Sequence, residues 1–200
     1  RLLRWDGSAW LERGVVATVD GYAWQDRATP LRPPLIAAPQ QHYVPGYVTE
    51  IHPQAEAFIA TLADRLTRGA AFFVDYGFPD AEYYHPQRNG GTLMCHRAHR
   101  ADTDPLADVG AKDITAHIDF SGIAVSAQDN GLEVLGYTSQ ARFLLNCGLA
   151  EQLGAAGPRE RAAAMKLIGE HEMGELFKVI GFARGCAFEA IGFAGGDRSH

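Results

Sequence analysis

The stretch from Pro53 to Gly77, PQAEAFIATLADRLTRGAAFFVDYG, decides the fold. Its first part predicts a helix over 53–68, because a proline suits the first turn and apolar residues then recur every three or four positions. Gly69 supplies the stop signal. Residues 70–77 follow as an apolar run that ends in polar side chains, which is typical of a strand buried on both faces of a parallel sheet. A helix that leads directly into such a strand indicates an α/β fold.

The segments on either side of this stretch are consistent with the same fold class. Residues 2–5 and 10–18 predict an antiparallel β-hairpin around a glycine-containing turn. Five prolines between 28 and 45 predict an extended surface connector, because proline is unfavourable inside helices and central strands. The later predicted elements are a helix over 120–129 closed by Gly131, a strand over 132–137, a short helix from 139 to 147, an interrupted helical region over 158–177, and strands over 177–183 and 188–193.

Composition argues against several classes of function. The 200 residues carry a formal net charge of −6, whereas a sequence-independent nucleic-acid binder needs a basic surface to neutralise phosphates. No window approaches the roughly eighteen apolar residues of a membrane span, and no basic segment followed by an apolar core opens the chain as a signal peptide would. The three cysteines are widely spaced, which favours a reducing compartment over a disulfide framework. We therefore expect a cytoplasmic protein with no nucleic-acid or membrane partner.

The segment from Gly77 to Ile114 shows neither helical nor strand periodicity and is much longer than most connections within a domain. Its aromatic and aliphatic residues, such as Tyr83 and Tyr84, argue against a disordered linker. It also follows the carboxyl end of a predicted buried strand, where ligands bind in open α/β sheets. These features predict an ordered loop that forms a wall beside a ligand crevice.

Histidines are concentrated in and beside this loop, at His85, His96, His99 and His117. Imidazole and carboxylate ligands suit zinc or iron, but the pair at 96 and 99 lacks the helical HExxH context that would place both rings on one face. The same side chains equally suit a polar wall that accepts protons from a cationic or amide-bearing substrate. They also suit hydrogen bonds that only fix the loop. We favour the polar wall and predict no metal site.

Several linked blocks make the sequence recognisable: DYGF at 75–78, EYYHP at 82–86, GTLMCH at 91–96, DP at 104–105, KDITAHIDF at 112–120 and GYTSQARFLLNCGL at 136–149. Together they resemble the MidA-like family of SAM-dependent methyltransferases, which includes a mitochondrial complex I assembly factor that methylates an arginine of a core subunit. The resemblance runs from about Gly46 to Leu149 and extends more loosely to both ends.

This resemblance implies a class I methyltransferase fold, in which a Rossmann-like sheet with flanking helices binds S-adenosylmethionine (SAM) at the carboxyl ends of its first strands. The glycine-rich loop and the acidic residue that hold SAM in such folds have no counterpart in this sequence. We therefore expect 1–200 to form a single, incomplete domain. It would be the carboxyl-terminal half of the sheet, with an N-terminal β-hairpin and a long ordered central loop. By itself it should bind SAM weakly or not at all and be inactive.

Arginine methylation, which the resemblance implies, needs carboxylates that hold the guanidinium and bias one nitrogen toward attack. Asp75 and Glu82 are the predicted catalytic carboxylates. The residues predicted to bind the substrate, shape its slot or support it are Tyr76, Tyr83, His96, His99, Asp113, Thr115 and His117. Asp119 is instead expected to cap the helix over 120–129.

The implied cofactor of the full-length parent is SAM, and the implied partner is a protein substrate. In a eukaryote that substrate would be a complex I subunit and the location the mitochondrial matrix. An uncovered sheet edge would also favour homo-oligomers. Two other classes of function remain open: a non-enzymatic assembly or binding module that docks partners through the 77–114 loop, and a metal-dependent hydrolase that uses the histidines.

Overall fold

The fold is described from a computed structural model of the chain, which describes residues 1–34, 43–98, 100–187 and 189–195. Its strands are β1 (Leu2–Trp5), β2 (Trp10–Thr18), β3 (Gly21–Ala28), β4 (Val48–Glu50), β5 (Gly69–Phe78), β6 (Met94–Arg97), β7 (Arg100–Asp102), β8 (Asp113–Thr115), β9 (Ile118–Asp119), β10 (Glu133–Ser139) and β11 (Phe177–Arg184). Its helices are α1 (Pro53–Arg65), α2 (Asp80–Tyr83), α3 (Phe120–Asp129), α4 (Gln140–Asn146), α5 (Leu149–Ala155), α6 (Pro158–Ile168) and α7 (Met173–Leu176), with a 3-10 helix at Ile191–Phe193.

These elements form two compact units. The first unit consists of Arg1–Pro53 and Phe78–Asp119, and the second of Gln54–Gly77 and Phe120–His200. The chain contains both sheets and helices, which confirms the predicted α/β class. No helix in the described ranges is long and apolar enough to cross a membrane.

The first unit is built on an antiparallel sheet in the order β3, β2, β1, β4. The predicted hairpin of β1 and β2 is confirmed, with Trp5 opposite Trp10. Its turn is held by Asp6, whose Oδ1 accepts hydrogen bonds from the backbone N–H groups of Ser8 and Ala9, both at 2.7 Å. The sequence reading missed β3, which pairs with residues 11–18 of β2 after a tight turn.

Aromatic side chains fill the core of the first unit. Trp10 and Tyr47 pack edge to face, with ring centroids 6.2 Å apart, and both are buried together with Leu3. Tyr83 and Tyr84 join this core from the end of α2. The central segment is therefore anchored by tyrosines, as the sequence predicted.

The same segment contains more regular structure than expected. Besides α2, it includes β6, β7 and β8, which form an antiparallel sheet in the order β7, β6, β8. The prediction that 77–114 lacks helices and strands is therefore wrong. These strands are only three or four residues long, so alternation of polar and apolar residues cannot become visible in the sequence.

In the second unit, β11 lies between β10 and β5 and is antiparallel to both. The predicted strand over 70–77 is confirmed, but its burial on both faces is wrong, and its pairing with β11 is antiparallel where the sequence predicted a parallel sheet. Phe72 and Val74 of β5 are 46% and 51% exposed, whereas the continuous buried run lies in β11, from Val179 to Ala183. An apolar run predicts a strand without revealing the direction of its partner.

Most helices of the second unit begin and end where the sequence predicted. α1 begins at Pro53 but ends at Arg65, short of the predicted 68. α3 matches its predicted bounds, and Ser139 caps α4 by accepting a hydrogen bond from Arg142 N at 3.4 Å. α6 begins at Pro158 and stops at Gly169, as expected from these two residue types.

Two predictions at the carboxyl end need correction. The predicted strand over 188–193 is replaced by the 3-10 helix at Ile191–Phe193, while Phe188 lies outside the described residues. The sequence reading also missed α5, where Gly148 and Gly154 had obscured a helical pattern. Of the proline-rich connector, 29–34 is free of helix and strand as expected, and 35–42 lies outside the described residues.

The end of α3 offers a direct test of glycine conformation. Gly131 has φ +78° and donates to Gln128 O, while Leu132 donates to Ala127 O, which is a Schellman pattern. Gly131→Ala should lower the free energy of unfolding by about 1 kcal/mol, because alanine is strained in this conformation. Urea unfolding followed by circular dichroism measures the change.

Gly154→Ala is the matched control. Gly154 lies inside α5, and nothing stands within 4 Å of the position that a Cβ would occupy. The substitution should therefore raise the free energy of unfolding by about 0.5–1 kcal/mol, since alanine is the better helix former. Equal effects of the two substitutions would contradict this account of Gly131.

Candidate functional site

A buried carboxylate, Glu50, lies at the end of β4 and is only 4% exposed. Both of its oxygens lie 3.0 Å from the backbone nitrogen of Thr92, and Oε1 also accepts from Leu93 N at 3.0 Å. Oε2 accepts from the Thr92 hydroxyl at 3.2 Å and from the Tyr83 hydroxyl at 3.1 Å. All the donors are N–H or O–H groups, an arrangement that stabilises a buried carboxylate.

Position 91, which precedes the contact between Thr92 and Glu50, must be glycine. Gly91 has φ +73°, and a Cβ built on it would overlap the Glu50 carboxylate. A larger residue would therefore push the backbone of Thr92 away from Glu50. The Gly-Gly pair at 90–91 thus allows the chain to approach the carboxylate closely.

The Tyr83 hydroxyl connects Glu50 to His52. It lies 2.8 Å from His52 Nε2, 3.0 Å from Thr92 Oγ1 and 3.2 Å from the carbonyl oxygen of His117. Burial raises the pKa of Tyr83, so its single proton is retained, and the Glu50 carboxylate is its strongest acceptor. His52 Nε2 must then donate to the Tyr83 oxygen. The result is a relay from His52 through Tyr83 to Glu50.

Burial also determines the charge of His52. It lowers the pKa of His52 to about 4, so the imidazole is neutral near pH 7. With its proton on Nε2, the other ring nitrogen, Nδ1, has a lone pair and can only accept hydrogen bonds.

A second group of side chains surrounds Phe78. The ring of His117 stacks on Phe78 with centroids 5.0 Å apart and an angle of 7°, and the Arg88 guanidinium lies 4.0 Å from the Phe78 centroid. Arg88 also donates through Nε to the backbone oxygen of Glu82 at 3.1 Å, and its Nη2 lies 3.4 Å from Glu82 Oε1. His117 N donates to Thr92 Oγ1 at 3.0 Å, which joins this group to the Glu50 network.

The two groups border a cavity of about 560 Å³, which we call the polar cavity. Its lining includes Arg13, Arg88, Asn89, Thr92 and His117. Arg13 is held by Asp26 through two hydrogen bonds of 2.7 and 2.9 Å, which raises the pKa of Arg13 and lowers that of Asp26. Two guanidinium groups and a side-chain amide offer donors to a carbonyl or carboxylate group of a substrate.

The predicted site residues are distributed over several places. Tyr83 and His117 meet in the Glu50 network, and Glu82 pairs with Arg88. His96 and Asp113 face each other in the pairing of β6 and β8, where both are exposed. Thr115 belongs to the same sheet, and its hydroxyl donates to Met94 O at 3.4 Å.

The other predicted residues do not join this network in the first unit. Asp75 and Tyr76 belong to the second unit, where Asp75 Oδ1 accepts from Tyr76 N at 2.8 Å and Tyr76 packs on Phe177 with ring centroids 5.5 Å apart. His99 lies outside the described residues. Asp119 accepts a hydrogen bond from the Tyr84 hydroxyl at 3.1 Å; its predicted capping role stays a prediction.

Sequence reasoning missed Glu50, His52, Arg88 and Thr92. The Gly-Gly pair at 90–91 was the available signal, because such pairs often mark a close approach of the backbone to another group. Glu50 and His52 carry no such signal. Within the described ranges, no group of three or more histidine, cysteine, aspartate and glutamate side chains is arranged to hold a metal ion.

Removing the charge of Glu50 should destabilise the first unit. Glu50→Gln replaces one acceptor oxygen by an NH₂ group that faces the donors of Thr92 or Tyr83, so we expect a loss of about 2–4 kcal/mol in the free energy of unfolding. Urea denaturation measures this loss. Glu12→Gln, at a surface ion pair with Arg1, is the control and should change stability by less than about 1 kcal/mol. Similar effects of the two variants would contradict a special role for Glu50.

The lowered pKa of His52 predicts acid sensitivity. Because the folded-state pKa of about 4 lies below the ordinary histidine pKa of about 6.5, the unfolded chain binds more protons between these two pH values. The contribution of His52 to the free energy of unfolding should thus be constant above about pH 6.5. As the pH falls toward 4, the unfavourable protonation of His52 should lower the free energy of unfolding by up to about 3 kcal/mol. Comparison of urea unfolding at pH 7 and pH 5 for the wild type and His52→Phe isolates this contribution. The control, His85→Phe at an exposed position, should keep the wild-type pH dependence. If His52→Phe loses as much stability between pH 7 and pH 5 as the wild type does, His52 is not the group responsible.

Comparisons with known proteins identify the family. A family model described as "Putative S-adenosyl-L-methionine-dependent methyltransferase" matches residues 1–138. No curated protein sequence matches the chain.

Two solved structures from Burkholderia thailandensis are similar over the whole chain. A native crystal structure of an uncharacterized protein is 46% identical with a TM-score of 0.91, and the match covers 100% of this chain and 56% of that one. A crystal structure of a protein bound to S-adenosyl-homocysteine is 47% identical with a TM-score of 0.91, and the match covers 100% of this chain and 54% of that one. The chain thus spans little more than half the length of these neighbours. The family match and the identity to these neighbours show that the chain belongs to this methyltransferase family.

Proposed function

We propose that the protein that includes this chain is a SAM-dependent methyltransferase, and that this chain carries the substrate-side part of the enzyme. The observation that carries the proposal is the 47% identity, over the whole chain, to a neighbour bound to S-adenosyl-homocysteine. That compound is SAM without its transferable methyl group. The family description points to the same cofactor.

The described residues do not fit the main SAM cradle. Such a cradle requires a glycine-rich loop between a strand and the helix that follows it, whereas in the described ranges β4 leads into α1 through Ile51 and His52, and β10 leads directly into α4. The neighbours extend well beyond the part that this chain matches. We propose that the cradle lies in that additional length, and that this chain is the carboxyl-terminal half of a class I Rossmann-like fold.

We further propose arginine N-methylation of a protein substrate, as the MidA-like resemblance implies. Bound SAM would supply an electrophilic methyl group, and this chain would orient the nucleophile and exclude water. Of the two predicted carboxylates, Asp75 is the better candidate to hold a guanidinium. Among the residues that the structure describes, its Oδ1 accepts only a local hydrogen bond from Tyr76 N, whereas Glu82 is already paired with Arg88.

The partner and location follow from the same resemblance. The substrate would be a protein, a complex I subunit where the source is eukaryotic, and the enzyme would act in the cytoplasm or in the mitochondrial matrix. The alternative is a non-enzymatic binding module. The exposed side chains of β6, β7 and β8 favour this alternative, because they offer a polar docking surface.

Methyl transfer is tested with a protein that spans the full length of the Burkholderia neighbours. Incubation with SAM and a candidate protein substrate should add methyl groups to arginine, read by peptide mass spectrometry. Asp75→Asn should reduce the rate about a hundredfold, since a charged contact to the guanidinium is lost. Asp129→Asn, at an exposed site in α3, is the matched control and should retain the rate.

Calorimetry with SAM distinguishes the alternatives. SAM binding by the longer protein and weak or no binding by the 200-residue chain are expected. If the longer protein does not bind SAM but binds a partner protein, the result would favour the binding module. Methylation of a residue other than arginine would support the methyltransferase proposal and overturn the arginine assignment.

A further inference from the structure

The second unit carries a row of polar side chains near the carboxyl ends of two of its strands. β5 and β10 are both antiparallel to β11, so they point in the same direction. In this register Lys178 of β11 stands opposite Asp75 of β5 on one side and opposite Ser139 of β10 on the other. Residues that stand opposite each other in neighbouring strands share one face of the sheet. The row therefore lies at the edge where ligands bind in open α/β sheets.

The ammonium group of Lys178 needs an acceptor, because its side chain is only 12% exposed. A cation that is largely withdrawn from water is stable only if an opposite charge or hydrogen-bond acceptors replace its hydration. Two carboxylates are placed to serve: Asp75, its cross-strand neighbour, and Glu175, which lies three residues earlier in α7. The Cβ atoms of residues that stand opposite each other are about 4.5–5.5 Å apart. The long lysine side chain can therefore reach either carboxylate.

Of these two carboxylates, Lys178 is paired with Glu175. Its Nζ donates to the backbone oxygen of Glu175 and lies 3.7 Å from Glu175 Oε2. Within the part of the chain that the structure describes, Nζ makes no hydrogen bond or ion pair with Asp75. The ammonium group is thus held at α7 although an oppositely charged side chain stands directly across from it in the sheet.

This pairing leaves the Asp75 carboxylate available to a ligand. Its Oδ1 accepts the hydrogen bond from Tyr76 N at 2.8 Å, and no cationic side chain of the described residues pairs with it. A guanidinium group binds best to a carboxylate through two parallel hydrogen bonds. An ammonium group bound at the same carboxylate would occupy an acceptor and repel the incoming cation. Asp75 can therefore hold an arginine side chain only while Lys178 is bound elsewhere.

We propose that Glu175 is a positioning residue, which holds the Lys178 ammonium group at α7 and thereby keeps Asp75 available for the guanidinium group of the substrate. Glu175 itself contacts neither the substrate nor SAM. Its role rests on the proposed function, in which Asp75 holds the guanidinium group. The choice between lysine and substrate at Asp75 is then made by a helix residue that lies outside the row.

The test measures binding of methylguanidinium, which has the end group of an arginine side chain, to the 200-residue chain without SAM. The Tyr76 amide reports on Asp75, because its N–H donates to Asp75 Oδ1. Titration of the wild type followed by NMR should shift this amide signal. Glu175→Gln keeps the shape of the side chain but removes the charge that holds Lys178. Lys178 should then pair with Asp75, and the affinity for methylguanidinium should fall about fivefold.

A second substitution distinguishes this exchange of partners from a loss of structure. Glu175→Gln combined with Lys178→Met removes the competing ammonium group and should restore at least the wild-type affinity, whereas a folding defect would become worse. Glu170→Gln, at an exposed position shortly before α7, makes the same change of charge and should leave the affinity unchanged. In Glu175→Gln alone, the Tyr76 amide signal should already differ from the wild type before any ligand is added, so the single variant also provides a test.

Equal affinities of the wild type and Glu175→Gln would overturn the role of Glu175 and leave Asp75 as the guanidinium site. A loss of affinity that the double variant does not restore would also overturn it, because Lys178 is then not the cause of the loss. If methylguanidinium does not shift the Tyr76 signal of the wild type, guanidinium binding at Asp75 is overturned together with the role of Glu175. None of these results decides methyl transfer, which mass spectrometry measures separately on the longer protein.

Discussion

The first unit depends on the burial of one carboxylate. Glu50 is nearly inaccessible to water, and a buried charge is stable only if surrounding donors replace its hydration. Those donors come from Tyr83, Thr92 and Leu93. Glu50 thereby fixes α2 and the segment after Gly91 to the strand that carries it. One charged group thus holds together three segments of the chain, two of which lie more than thirty residues after Glu50.

The geometry of the polar cavity follows from this constraint. Thr92 and His117 border this cavity, and each of them is tied to the Tyr83 hydroxyl or to the Glu50 carboxylate by a hydrogen bond. The network therefore sets which polar atoms a ligand can reach. Because both oxygens of Glu50 already accept hydrogen bonds from the protein, Glu50 is better suited to positioning other groups than to binding a substrate directly.

The second unit is organised by packing. Its central strand, β11, is buried from Val179 to Ala183, and Gly181 leaves room for the rings of Phe72 and Phe193. Phe143 contacts the same rings, with centroid distances of 6.0 and 5.2 Å. On β5, Phe72 and Val74 remain accessible, which is the kind of surface that further parts of a larger protein cover.

The sequence by itself determined the local elements that have strong signals at their ends. Pro53 and Pro158 begin helices, Gly131 and Gly169 end them, and Asp6 forms the hairpin turn, because these signals act within a few residues of the chain. The linked blocks around Tyr83 and Gly91 also identified a methyltransferase family. Only the tertiary structure decided strand direction, the short strands near His96, and the partners of Glu50. These depend on pairings between separate segments of the chain, and hydrogen bonds such as the one from Thr92 N to Glu50 leave no periodic pattern in the sequence.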